Sequence, residues 1–178
     1  MTRVFTVGHS DRTFAEVLQL LDDHDIKALI DVRRFPSSRK HPQWNQSSIV
    51  EALPVGYSYT WVSELGGRRH TPRGVPSPNG GWQVKAFQDY ADHMLGEEFA
   101  HGLDQLIDLS RDALSVVMCS EAVPWRCHRR LITDALLVAG IEVTHIISRT
   151  TTLSAALSDH GRIHDGRLIY PPEVTAST

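Results

Sequence analysis

Two cysteines and a small group of histidines and arginines are the residues whose types allow chemistry beyond packing. Cys127 stands among Arg126, His128 and Arg129 at the start of a helical stretch, where the helix dipole and cationic neighbours favour a thiolate. Cys119 closes an apolar run, a position that serves a cleft or a core. Either thiol is a candidate nucleophile or redox group. His9 and His128 are placed to exchange protons near neutral pH, with the Glu121 carboxylate beside them. Cys119, Cys127, His128, His9 and Glu121 therefore make up the candidate catalytic set. Gly8, Ser10, Asp31, Arg33, Arg34, Glu64, Ser120 and Arg129 are the candidate anion- and substrate-binding residues. Guanidinium forks suit phosphate or carboxylate, and nearby carboxylates orient them.

Spacing narrows the chemistry. A phosphatase loop needs an Arg six positions after its Cys, and Arg126 lies seven after Cys119. No Cys-x-x-Cys redox motif is present. Cys119, Cys127, His128 and His9 offer thiolate and imidazole donors of the kind zinc takes. However, a separation of eight between the cysteines matches no common ligand pair, and adjacent Cys127 and His128 point about 100° apart on a helix. No residue is assigned to a metal on this reading, and neither a cofactor nor an oligomeric state follows from the residues.

These groups need elements that bring them together. Val4–Val7 is a β-branched run ending at Gly8, and Lys27–Val32 is apolar nearly throughout, as strands covered on both faces are. Between them, Thr13 and Glu16 form a capping box for a helix running to about His24. Ser48 and Glu51 offer a second box for a short helix. Tyr57–Val62 and Ala113–Met118 read as further strands, Ala86–Leu95, Phe99–Leu109 and Cys127–Ala139 as helices, and Ile141–Ile147 as the last clear strand. Gly66–Gly81 is a long Gly/Pro/Arg loop of the sort that forms lids. The alternation predicts one α/β domain over residues 1–150, a mostly parallel, doubly wound sheet of Rossmann-like or flavodoxin-like type with helices on both faces. Residues 151–178 are expected to form an extension with a short hairpin near Gly161–Tyr170 and a frayed end. Such sheets bind ligands beyond the carboxyl ends of their strands, where the candidate residues lie.

Composition sets outer bounds. The 178 residues carry a net charge of −3, which argues against a surface that coats nucleic acid indiscriminately. Yet ten of the 18 Lys and Arg residues fall in three short segments, near residues 33–40, 68–73 and 126–130. The segments RRFPSSRKHPQWN and GGRRHTPRG mix cations with Pro, His41 and Trp44, a composition compatible with a phosphate backbone and stacked bases. No apolar run has the roughly 18 residues of a membrane helix, and no signal-peptide pattern opens the chain. Cytoplasmic placement without a membrane partner is expected, and two cysteines do not make a disulfide scaffold.

The runs TVGHS (Thr6–Ser10), DVRRFP (Asp31–Pro36), Pro42–Asn45, ELGG (Glu64–Gly67) and MCSEAVPWRCHRRLI (Met118–Ile132) resemble the domain-of-unknown-function family numbered 488. The resemblance covers about Val4 to Ile147. It implies a small cytoplasmic α/β domain and supports treating Gly8, His9, Ser10, Asp31, Arg33, Glu64, Cys119, Glu121, Cys127, His128 and Arg129 as one set, without implying an activity. The Asp31-Val32-Arg33 strand end is also similar to rhodanese-like domains, whose remaining active loop is missing. The expected function is an enzyme with a cationic Cys/His site acting on a phosphate-bearing substrate, a nucleotide or nucleic acid. The alternatives are a non-catalytic nucleic-acid-binding module and a metal-binding domain using Cys119, Cys127 and His128.

Overall fold

The computed structural model describes residues 2–173; the expected frayed end at residues 174–178 lies outside them. The expected strands form as β1 (Arg3–Gly8), β2 (Ala28–Asp31), β3 (Ser58–Trp61), β4 (Ser115–Cys119) and β5 (Glu142–Ser148). They build a six-stranded sheet in the order β3-β2-β4-β1-β5-β6, with β6 (Thr151–Ser154) antiparallel to β5 and the other five parallel. Helices α1 (Phe14–Asp22) and α2 (Gln46–Ala52) pack on one face. Helices α3 (Lys85–His93), α4 (Glu97–Asp112) and α5 (Arg129–Val138) pack on the other. Connections moving toward β3 use the first face and those moving back use the second, as a single crossover handedness requires. The chain is thus an α/β fold with a doubly wound sheet. A two-stranded ribbon, β7 (Arg162–His164) and β8 (Arg167–Ile169), leads to Tyr170, which is fully buried. Among the described residues no helix is long and apolar enough to cross a membrane.

Alternation along the strands decides which side each site residue faces. Phe5 and Val7 point to α1 and α2, and Leu29 does the same from β2. Two residues further along their strands, His9 and Asp31 inherit that face. Val117 and Cys119 point to the opposite face, toward α5. The register places Gly8 beside Cys119 and Asp31 beside Met118, so these side chains emerge level with one another at the carboxyl edge.

Helix α1 begins at the expected capping box: Glu16 N–H donates to Thr13 Oγ1 at 3.2 Å and Thr13 N–H to Glu16 Oε2 at 2.6 Å. Thr13→Ala is expected to cost about 1 kcal/mol, read as a lower urea midpoint at unchanged slope. A midpoint equal to the wild type would show that the cap is idle. The second expected box does not form. Helix α2 starts earlier, at Gln46, and its boundary residue Asn45 uses its side chain to accept from Ser38 N–H at 2.6 Å in the preceding loop.

Candidate functional site

A cleft of about 690 Å³ opens at the carboxyl ends of β1, β2 and β4. On the α1/α2 side, fully buried Asp31 grips Arg33: its oxygens accept from Arg33 Nε at 2.9 Å, Nη2 at 2.6 Å and the backbone N–H at 3.0 Å. Tyr59 O–H donates to the same carboxylate at 2.7 Å. Arg33 in turn directs Nη1 at His9 Nε2, 3.4 Å away. His9 donates from Nδ1 to Ser10 O at 2.9 Å, which leaves Nε2 as the acceptor. Its ring lies flat on Trp44, centroids 4.8 Å apart. Trp44 is completely buried, so it supports His9 and presents no free face to a nucleic-acid base.

On the α5 side the two thiols meet. Cys119 Sγ and Cys127 Sγ are 2.7 Å apart, both buried. Cys127 precedes α5, and the Arg129 backbone N–H donates to its sulfur at 3.4 Å. His128 donates from Nε2 to Val32 O at 2.9 Å and turns Nδ1 to Cys127 Sγ at 3.5 Å. Among the described residues no group of three or more His, Cys, Asp or Glu side chains is arranged to hold a metal ion.

Burial governs the electrostatics. Burial lowers His9 and His128 to about 4 each, aided by Arg33 beside His9 and Arg129 beside His128. Both imidazoles are therefore neutral acceptors at pH 7. Burial by itself raises both thiols; at Cys119 the hydrogen bond from Cys127 and the Arg129 guanidinium outweigh it and hold the group below its ordinary value. Burial and the shared hydrogen bond push Cys127 well above its own. The two sulfurs share one hydrogen bond, so they titrate as a pair.

Two glycines allow the backbones to close around this site. A Cβ on Gly8 would lie 1.7 Å from Glu121 O, and one on Gly67 would lie 2.8 Å from His128 Nδ1. Ser10 and Arg68, which both line the cleft, hold positive φ values of 49° and 56°, a conformation that non-glycine residues keep where surrounding structure imposes it.

The cleft wall includes Cys119, Cys127, His128, His9, Glu121, Ser10, Arg33, Arg34 and Ser120 from the expected set. Gly8 and Asp31 stand directly behind it. Glu64 does not reach it: the turn over Ser63–Leu65 packs its Cβ region against Gly102 of α4, and Oε1 sits 3.8 Å from His101. Arg129 is also away from the wall, 1% exposed, donating Nη2 to the Glu121 and Ala122 carbonyls at 3.2 and 3.4 Å. Lys40, Arg68 and Arg126 join the lining from the three basic segments. Phe35, 61% exposed, and Phe87 add apolar faces, and buried Tyr90 packs on His128 at 5.1 Å. Phe35 and Tyr90 carried no spacing signal, since one sits in an irregular loop and the other in the apolar stripe of α3.

The profile of one protein family, described as Domain of unknown function DUF488, matches residues 13–136, more than two thirds of the chain. The match includes Asp31, Arg33, Glu64 and the Cys119–Arg129 segment, while Gly8, His9 and Ser10 precede it. No curated protein and no solved structure matches the chain significantly.

Proposed function

The chain belongs to the DUF488 family, and on that premise we propose that its cleft is the active site of an enzyme for a phosphate-bearing substrate, a nucleotide or nucleic acid. The observation that carries the reading is the composition of the cleft's lining: five cationic side chains, Arg33, Arg34, Lys40, Arg68 and Arg126, share it with two paired thiols. Arg33 is pre-oriented by Asp31, so a bound phosphate gains its fork without ordering a free side chain. The side chains of Arg34, Lys40, Arg68 and Arg126 line the cleft without a hydrogen bond or ion pair among the described residues, which leaves them to meet further phosphates. Phe35 presents a ring on which a base can stack. Cys119, held below its ordinary value by the Cys127 hydrogen bond and the Arg129 guanidinium, supplies the nucleophile, and the neutral His9 Nε2 accepts a proton or a substrate hydrogen bond.

The test is equilibrium binding of inorganic pyrophosphate and of a short single-stranded oligonucleotide to the reduced protein at low and moderate salt. Affinity is expected to fall steeply with salt, and Arg34→Ala and Arg68→Ala are each expected to weaken pyrophosphate binding about tenfold, the loss of one charge-assisted contact. Absence of binding by both probes at low salt, or binding indifferent to both substitutions, would overturn the reading. Oligonucleotide binding that spans many nucleotides with no contribution from the cysteines would favour a non-catalytic nucleic-acid module.

A further inference from the structure

Arg129 is a buried guanidinium with an incomplete set of partners. It is 1% exposed, its Nε and Nη1 find no acceptor, and no carboxylate among the described residues forms an ion pair with it. A cation in that environment requires a nearby anion to offset its desolvation. The buried groups beside it that can become anions are the two thiols; Glu121, whose charge also acts on Cys119, is exposed. The Arg129 backbone already donates to Cys127 Sγ, and its guanidinium acts on both sulfurs.

From this arrangement we infer that Cys119 and Cys127 are a two-electron dithiol/disulfide couple, with Arg129 as the charge partner of the reduced pair. The inference deepens the proposed function and rests on its reading of the cleft as the route by which reactants reach the thiols. Their sulfurs need to close from 2.7 Å to a bond of about 2.05 Å. The co-reactant is a low-molecular-weight disulfide. Cys119 thiolate attacks one of its sulfurs, the external S–S bond breaks, and the first thiolate leaves and takes up a proton. Cys127 passes its proton by way of His128 Nδ1 to the departing second external sulfur as its own sulfur attacks Cys119 Sγ and the mixed disulfide breaks. Two protein thiols lose two electrons and two protons, and one external disulfide becomes two thiols.

Oxidation removes the negative charge and leaves Arg129 buried without a counterion, so the reduced form is the favoured one. The couple therefore behaves as an oxidant, in contrast to a structural disulfide. Arg129 is a positioning residue here: it acts through the sulfurs.

The experiment equilibrates the folded full chain with graded ratios of reduced to oxidised glutathione and reads thiol count and intact mass. Both thiols are expected to disappear together, with a mass lower by two hydrogens and no retained glutathione. Cys119→Ser and Cys127→Ser should each stop at the mixed disulfide on the remaining thiol. Arg129→Met should shift the equilibrium toward the disulfide at least tenfold, about 30 mV; if that variant does not fold, the wild-type titration decides by itself. A folded wild type that keeps two free thiols in oxidised glutathione, or that accumulates a stable glutathione adduct, would overturn the inference. Pyrophosphate binding by the reduced protein is measured alongside. Binding without ring closure would spare the proposed substrate class, and ring closure without binding would spare the couple.

Discussion

Asp31→Ala is expected to lower the unfolding free energy by about 3–5 kcal/mol, the cost of stranding a buried charge whose partner has been removed. Asp31 is fully buried, and Arg33 is 7% exposed. The carboxylate accepts from Arg33 side chain and backbone and from Tyr59 O–H. After truncation the guanidinium keeps its desolvation penalty and retains only the long contact to His9 Nε2. The Arg3–Glu142 pair sets the contrast. Its side chains are 54% and 46% exposed, so Arg3→Ala should cost under about 1 kcal/mol. Urea unfolding of the two variants under identical conditions separates these cases. Equal losses would mean that Asp31 and Arg33 are not the buried anchor described.

Acidification is expected to unfold the protein between pH 6.5 and about 4, with uptake of up to three protons. His9, His128 and His145 are each lowered from 6.5 to about 4, chiefly by burial. Arg33 and Asp31 face His9 with opposing effects; Arg129 faces both His128 and His145, and Arg69 and His93 add to the field at His128. Because these groups are neutral in the folded chain and charged in the unfolded one, the unfolded state binds more protons in this window. Their contribution is fully present above about 6.5 and is lost as pH falls through about 4. Each shift corresponds to at most roughly 3 kcal/mol, enough for the three together to exhaust the stability of a typical domain. The measurement is unfolding free energy at a series of pH values from 7.5 to 4. A flat profile would contradict the buried neutral state of these histidines.

The architecture was readable because the evidence for it is local. Apolar runs of strand length alternate with helical stripes, and that alternation implies a doubly wound sheet whose carboxyl edge carries the polar residues. Strand alternation then accounts for a division the linear pattern only implied: His9, Asp31 and Arg33 fall on one face and Cys119 on the other. The insertion of β4 between β2 and β1 was not legible, since pairing order depends on contacts far apart in sequence. Glu64 was expected at the site because it follows β3, yet a single tight turn rotates it onto α4. Arg129 looked like an exposed anion ligand by its position near a helix start; helical rotation instead carries it inward behind the thiols. Trp44 stands in a polar, Pro-rich segment whose composition gives no sign of burial, and the ring is buried by packing against His9 and Phe14. The closeness of two cysteines eight residues apart follows from Cys127 folding back along β4, which spacing does not encode.

Cys119 alkylation by iodoacetamide, followed against pH on the native, reduced protein with and without inorganic pyrophosphate, tests the central claim most directly. A functional thiol at the wall of a cationic cleft predicts a rate that titrates below the ordinary cysteine value of about 8.5, is absent in Cys119→Ser, and slows when pyrophosphate occupies the cleft. Two thiols that react only after unfolding, at a rate indifferent to pyrophosphate, would make Cys119 and Cys127 core residues and contradict the account.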